Sequence, residues 1–164
     1  MKTDWIWMPH ASHLCVAHKC RFHLNTYVNG YIVSTVGEYF PDEEVRRIFL
    51  KNRIVFPKLK IDITGKIQTD HLVTNEQVQE ILSLKGDYFD AAYLRFFGFE
   101  DLGLNRKYET MVFRASKRDD PTAQCCPWEA TGDCLESAGY NEPKNAFDGH
   151  MRFCEKWDNV DENV

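Results

Sequence analysis

The sequence predicts an α+β fold: a small antiparallel sheet, built from a hairpin over 21–36 and a strand over 107–114, covered by helices. Three observations predict it. Asn29-Gly30 joins two arms rich in β-branched and aromatic residues. Tyr108, Thr110 and Val112 alternate with Glu109, Met111 and Phe113 at the two-residue period of a strand. Elsewhere apolar residues recur three and four positions apart, the period of an amphipathic helix.

Taken in order, residues 1–20 are irregular and carry His10, His13, Cys15, His18 and Cys20 at spacings that match no zinc finger. Arg21 to Val28 and Tyr31 to Val36 form the hairpin, because Asn-Gly accepts the positive φ angles of a type I′ turn. Asp42 caps a helix over 42–51, with Glu43 and Glu44 at its positive end and Val45, Ile48 and Phe49 on one face. Ile54-Val55-Phe56 and Leu59 to Ile63 read as short strands, and Thr64-Gly65 as the turn of a second small hairpin. Thr74 and Gln77 make a capping box; Val78, Ile81 and Leu82 form the apolar face that follows, and Gly86 closes the helix. Asp87 caps a third helix that runs through Tyr93, Leu94 and Phe97 to Gly98. Beyond the 107–114 strand, Ser116 to Pro121 reads as a linker and the segment from Cys125 as a loop. Asn145 to Trp157 is the last helix, with Phe147, His150, Met151 and Cys154 on a broad face. Gly149 inside it costs about 1 kcal/mol relative to Ala, so its presence points to a close approach by another segment. The expected organisation is a single domain over 1–157, with 51–86 as an insertion and 158–164 as a frayed acidic tail.

Composition narrows the function classes. The chain has 164 residues, of which 43% are hydrophobic, enough for one real core. Lys and Arg number 20 against 25 Asp and Glu, so the net charge of −5 provides no general basic surface for nucleic acid. No apolar run approaches the roughly 20 residues that span a bilayer. The first ten residues lack the apolar core and cleavage site of a signal peptide. The expected setting is therefore a reducing cytosol, with no membrane association. There, six cysteines signify metal ligation or free thiols rather than disulfides.

Two residue sets carry chemistry. His150 and Cys154 stand four apart on a helix and share a face. A loop bearing Cys125 and Cys126 can complete a tetrahedral nitrogen and sulfur shell for Zn²⁺, with Cys20 or Cys134 able to replace one ligand. Four protein ligands leave no open position, so this zinc would be structural and would tie the C-terminal helix down. The competing reading makes Cys125 and Cys126 small packing residues and His150 a hydrogen-bonded core histidine. The second set is His10, His13, Ser34, Thr35, Tyr39, Arg106, Tyr108 and Glu109. If the two strands are neighbours, Thr35 and Glu109, with His10 and Arg106, make an acid/base pocket. The competing reading is a polar patch that orders strand ends. No Walker loop, GxGxxG, GxSxG or HExxH pattern is present.

The order of several short motifs carries a resemblance. They are Met8-Pro9-His10, Cys20-Arg21-Phe22, Ser34-Thr35-Val36-Gly37-Glu38-Tyr39, Gly98-Phe99 with Gly103, Arg106-Lys107-Tyr108-Glu109-Thr110-Met111-Val112-Phe113, Cys125-Cys126-Pro127-Trp128, Gly139-Tyr140-Asn141 and Gly149-His150 with Cys154 and Trp157. The series resembles a group of small uncharacterised accessory proteins of tailed bacteriophages and prophages, over roughly 8–46 and 87–157. Cys15 and Cys134 fall outside the shared pattern. The resemblance implies a protein made inside an infected bacterium, with a host or phage protein as partner and host takeover or anti-defence as its setting. A small hydrolase or transferase acting on a nucleotide or nucleic acid is the alternative expectation.

Overall fold

Asn29 and Gly30 take φ angles of 45° and 84°, the left-handed pair that a type I′ hairpin demands. The arms they join lie at the centre of a five-stranded antiparallel sheet. The computed structural model describes residues 4–12, 17–55, 59–61, 67–69, 74–102, 106–122 and 124–161. His13 and Cys15 lie outside the described residues. The chain divides into two compact units, one formed by Met1–Phe40 with Asp101–Val164 and the other by Pro41–Glu100. The 51–86 stretch expected as an insertion lies within the second unit.

In chain order the elements are β1 (Ile6–Met8), β2 (Cys20–Val28), β3 (Tyr31–Tyr39), α1 (Glu43–Val55), β4 (Leu59–Ile61), β5 (Ile67–Thr69), α2 (Asn75–Ser83), α3 (Asp87–Phe97), β6 (Tyr108–Lys117), β7 (Trp128–Tyr140) and α4 (Pro143–Asp158). The larger sheet has the order β1-β2-β3-β6-β7. Its registers align Trp7 with Thr26, Thr26 with Val33, and Val33 with Val112. The next row on the same face pairs Leu24 with Thr35 and Thr35 with Thr110. Helix α4 packs on this face with Ala146, Gly149, His150 and Cys154 buried. Cys154 joins Val28, Tyr31, Val33 and Val112 in the core there, with Trp5, Phe153, Trp157 and Val160 around them. The opposite face, which among the described residues carries the short 3₁₀ turn Ala17–Lys19 but no α-helix of this unit, presents Met8, Tyr27 and Ile32, packed against Cys126, Ala115, Trp128 and Ala130.

The second unit holds α1–α3 and the small β4–β5 hairpin. Thr74 and Gln77 form the expected reciprocal capping box on α2. The Arg46 guanidinium sits over the rings of Phe89 and Tyr93, with Nη1 2.7 Å from Asp90 Oδ1. Arg47 lies over Phe89 and donates to the carbonyls of Leu82 and Leu84. These contacts replace water around two cations with aromatic faces and carbonyls.

Four expectations need correction. Ile54 and Val55 continue α1 instead of starting a strand. Helix α2 ends at a Leu84 cap, and Gly86, at φ 56°, caps the start of α3. The stretch read as a loop after Cys125 contains β7, an edge strand. Of the tail expected to fray over 158–164, Asp158 ends α4 and Val160 packs on the core, its carbonyl accepting from Asn29 Nδ2 at 3.0 Å, while 162–164 lie outside the described residues. Among the described residues no helix is long and apolar enough to cross a membrane.

Candidate functional site

The period of a strand decides where each candidate residue points, because neighbours in sequence face opposite sides of the sheet. Thr35 and Thr110 face α4, whereas Val36 and Glu109, partners across the β3–β6 ladder, face the open side. The acid/base quartet is therefore divided. Thr35 Oγ1 lies 2.7 Å from His150 Nδ1 and 2.7 Å from Thr110 Oγ1, and all three residues are fully buried. Glu109 sits on the other face, half-buried, where burial holds its carboxyl above the ordinary range. Its partner in β7 is Gly139, and the aliphatic chain of Arg106 occupies the space over that glycine. The structure thus brings Arg106 to the neighbourhood of Glu109 and leaves Thr35 behind the sheet. His10 lies against β2, its carbonyl accepting from the Asn25 amide.

The same geometry disperses the expected zinc ligands. His150 and Cys154 do share one buried face of α4, under the sheet. Cys126 packs against Met8 and Ile32 on the opposite face, and Cys125 is exposed beside it. The sheet stands between the two pairs. Cys134 is exposed on β7 with its thiol directed to the Glu136 carbonyl, and Cys20 packs against Ala17 and Val36. Among the described residues no group of three or more His, Cys, Asp or Glu side chains is placed to hold a metal ion.

Both imidazole nitrogens of His150 are occupied in another way: Nε2 lies 2.8 Å from Thr26 Oγ1 and Nδ1 meets Thr35. Burial depresses its basicity to a pKa of about 4, so the ring is neutral near neutral pH. A neutral imidazole has one donor and one acceptor. The chain Thr26–His150–Thr35–Thr110 is therefore a directional relay of hydrogen bonds that fastens α4 to the sheet. The Cys154 thiol, pushed up to about 12 by burial and in hydrogen-bond reach of Thr26, is a core residue without nucleophilic character. Trp7, about half exposed, covers the ring of His150 at a centroid distance of 5.8 Å.

The open face carries a cleft of about 340 Å³. Its walls come from the N-terminal loop, β2 and the far end of the β6–β7 hairpin. That end folds over the face, since Trp128 stacks on Tyr27 of β2 at 4.2 Å. His10, His18 and His23 line the cleft together with Arg118, Cys126 and Glu129. Asn25 and Ser34, buried polar residues of neighbouring strands, fix the loop: Ser12 N–H donates to Ser34 Oγ at 3.0 Å and Ser12 Oγ donates to Asn25 Oδ1 at 3.3 Å. His23 Nε2 donates to the Cys20 carbonyl at 2.5 Å, which in the neutral ring leaves Nδ1 as the acceptor nitrogen. That Nδ1 atom is buried and has no hydrogen-bond partner among the described residues. Arg118 Nε lies 3.7 Å from Glu129 Oε2, a loose pair at the rim. The thiol of Cys126 is raised by burial and receives the His10 backbone N–H.

Sequence reading placed His10 in the acid/base set with Thr35, Arg106 and Glu109, not in this cleft, and gave no site role to His23, Arg118, Trp128 or Glu129. One signal was available. His23 and Asn25 alternate with Phe22 and Leu24, so polar residues recur on one face of a strand whose cross-strand neighbours Val36 and Ser34 are buried. No family model, no curated protein and no solved structure matches this chain.

Proposed function

We propose that the protein acts by binding, through the open-face cleft, and that it is a phage-encoded accessory protein engaging a host or phage macromolecule in the bacterial cytosol. The cleft carries this reading. It is concave, of ligand-pocket size, lined by convergent polar groups around an aromatic wall, and framed by a loop held down by buried Asn25 and Ser34. The motif series supplies the phage setting, and countering a host defence is the task we assign to it. The test is partner capture from infected-cell extract by the whole protein and by Arg118→Ala and Trp128→Ala variants. Specific capture that both variants lose supports the reading; capture indifferent to both places the partner elsewhere and overturns it.

One observation favours a second reading, a small hydrolase or transferase acting on a nucleotide or nucleic acid. Glu109, its basicity raised by burial, shares the open face with Arg106. Thr35 and His10 do not join it in one pocket. A Glu109→Gln variant that folds normally yet abolishes the infection phenotype, while partner capture persists, would favour catalysis over binding.

A further inference from the structure

Resting on the binding reading, we infer that the group held in the open-face cleft is a phosphate that retains a proton, either free or as a monoester. The cleft combines opposite requirements. Arg118 presents a guanidinium, the natural partner of an oxyanion. His23 Nδ1, an acceptor while the ring is neutral, is buried without a partner among the described residues and takes a donor from the cleft; the exposed Glu129 carboxylate at the rim is a second acceptor. Sulfate and carboxylate anions offer oxygens alone, so their lone pairs would oppose those of His23 and Glu129. A phosphodiester likewise has no O–H. A proton-bearing phosphate offers both anionic oxygens for Arg118 and an O–H for His23 or Glu129.

The rest of the wall agrees with this division. The His23 ring cannot reverse its roles cheaply, because its Nε2–H is committed to the Cys20 carbonyl. Exchange of the two tautomers would break that bond and leave two oxygen or nitrogen lone pairs facing each other. Arg118 is only loosely held by Glu129 at 3.7 Å, so an incoming anion has little to displace. Trp128 lines the cleft beside them and offers an apolar surface to whatever carries the phosphate.

The experiment is titration of the whole protein with inorganic phosphate and with sulfate near neutral pH, followed by heteronuclear NMR or calorimetry. Phosphate is expected to bind at the cleft residues, and sulfate at least about tenfold more weakly, the factor that loss of one buried hydrogen bond supplies. Arg118→Met is expected to weaken phosphate binding about tenfold or more without changing the melting temperature. His23→Phe is expected to bring phosphate down to the affinity of sulfate. O-phosphoserine and a nucleoside 5′-monophosphate, titrated in parallel, identify the carrier by which of them binds more tightly than free phosphate. Equal affinity for sulfate and phosphate, or no effect of Arg118→Met, overturns the inference. The wild-type comparison needs no variant, so a His23→Phe protein that fails to fold does not remove the test. Partner capture that still depends on Arg118 and Trp128, with no phosphate binding, overturns this inference alone and leaves the binding reading intact.

Discussion

The phenol of Tyr140, at the end of β7, fills the space where a side chain at Gly149 would begin. A methyl group there would lie well inside van der Waals contact with the Tyr140 hydroxyl and ring. Propensity alone favours Gly149→Ala by about 1 kcal/mol in a helix interior. Packing reverses the sign. Gly149→Ala is expected to destabilise by roughly 1–3 kcal/mol, the usual range for overpacking. Tyr140→Ala combined with Gly149→Ala should recover part of that loss, a coupling measured by denaturant unfolding of the two single variants and the double variant.

His150 predicts a pH dependence of stability. Its pKa falls from 6.5 to about 4 on folding, because burial penalises the charged ring. The unfolded chain then binds the proton more readily, so the stabilisation is whole above the unfolded value and is lost as pH falls from about 6.5 towards about 4. At about 1.4 kcal/mol per pKa unit the contribution is on the order of 3 kcal/mol. Glu109, whose carboxyl is raised by burial, acts in the opposite sense at acid pH, as its folded form takes up the proton first. Unfolding free energies at pH 7.5, 6 and 5 should decline for the parent. The decline should flatten in His150→Gln; an unchanged slope in that variant would place the titrating group elsewhere.

Thr35 and Thr110 occupy unequal places in the same relay. The Thr35 hydroxyl meets both His150 and Thr110, while the Thr110 hydroxyl, among the bonds described, meets Thr35. Thr35→Val orphans two buried groups and Thr110→Val orphans one. Leaving a buried polar group unsatisfied costs about 1–3 kcal/mol. Thr35→Val should therefore be the more damaging by about that amount. Equal losses in thermal denaturation would mean that the hydroxyl of Thr35 is not shared.

The cysteines separate by burial. Cys154 is fully buried among Val28, Val33 and Val112, whereas Cys125 is exposed. Cys154→Ser places a hydroxyl in an apolar core and should cost about 1–3 kcal/mol; Cys125→Ser should stay within about 0.5 kcal/mol of the parent. A strong chelator should leave both melting temperatures unchanged. A chelator-induced drop in the parent, absent from both variants, would restore the metal site and require the sheet to open a path between its faces.

The contrast between what the sequence reveals and what it hides follows from geometry. The β2–β3 hairpin is legible because Asn29-Gly30 is a local signal and both arms alternate. Strand β7 is hidden because it forms an edge: Trp128 to Tyr140 is mostly exposed, so no apolar period is imposed on it. The spacing of His150 and Cys154 correctly places them on one helix face, but spacing does not say what that face meets. It meets threonines of the sheet, and the sheet excludes Cys126 from the same side. The cleft is illegible for a different reason. His10, His23 and Arg118 belong to segments distant in sequence, and only the folded-over end of the β6–β7 hairpin joins them.

The position of the 41–100 unit has its own consequence. Strand β3 ends at Tyr39, β6 begins at Tyr108, and Gly37 faces Tyr108 across their ladder. Topologically, then, everything between them stands where a hairpin loop would stand. The entropy of closing such a loop rises only with the logarithm of its length. Chain length can change there at small cost while every β3–β6 partner, and with them Thr35, Thr110 and Glu109, keeps its register. Along the chain, then, length between β3 and β6 is the cheapest thing to vary, and the pairing of the two strands the most constrained.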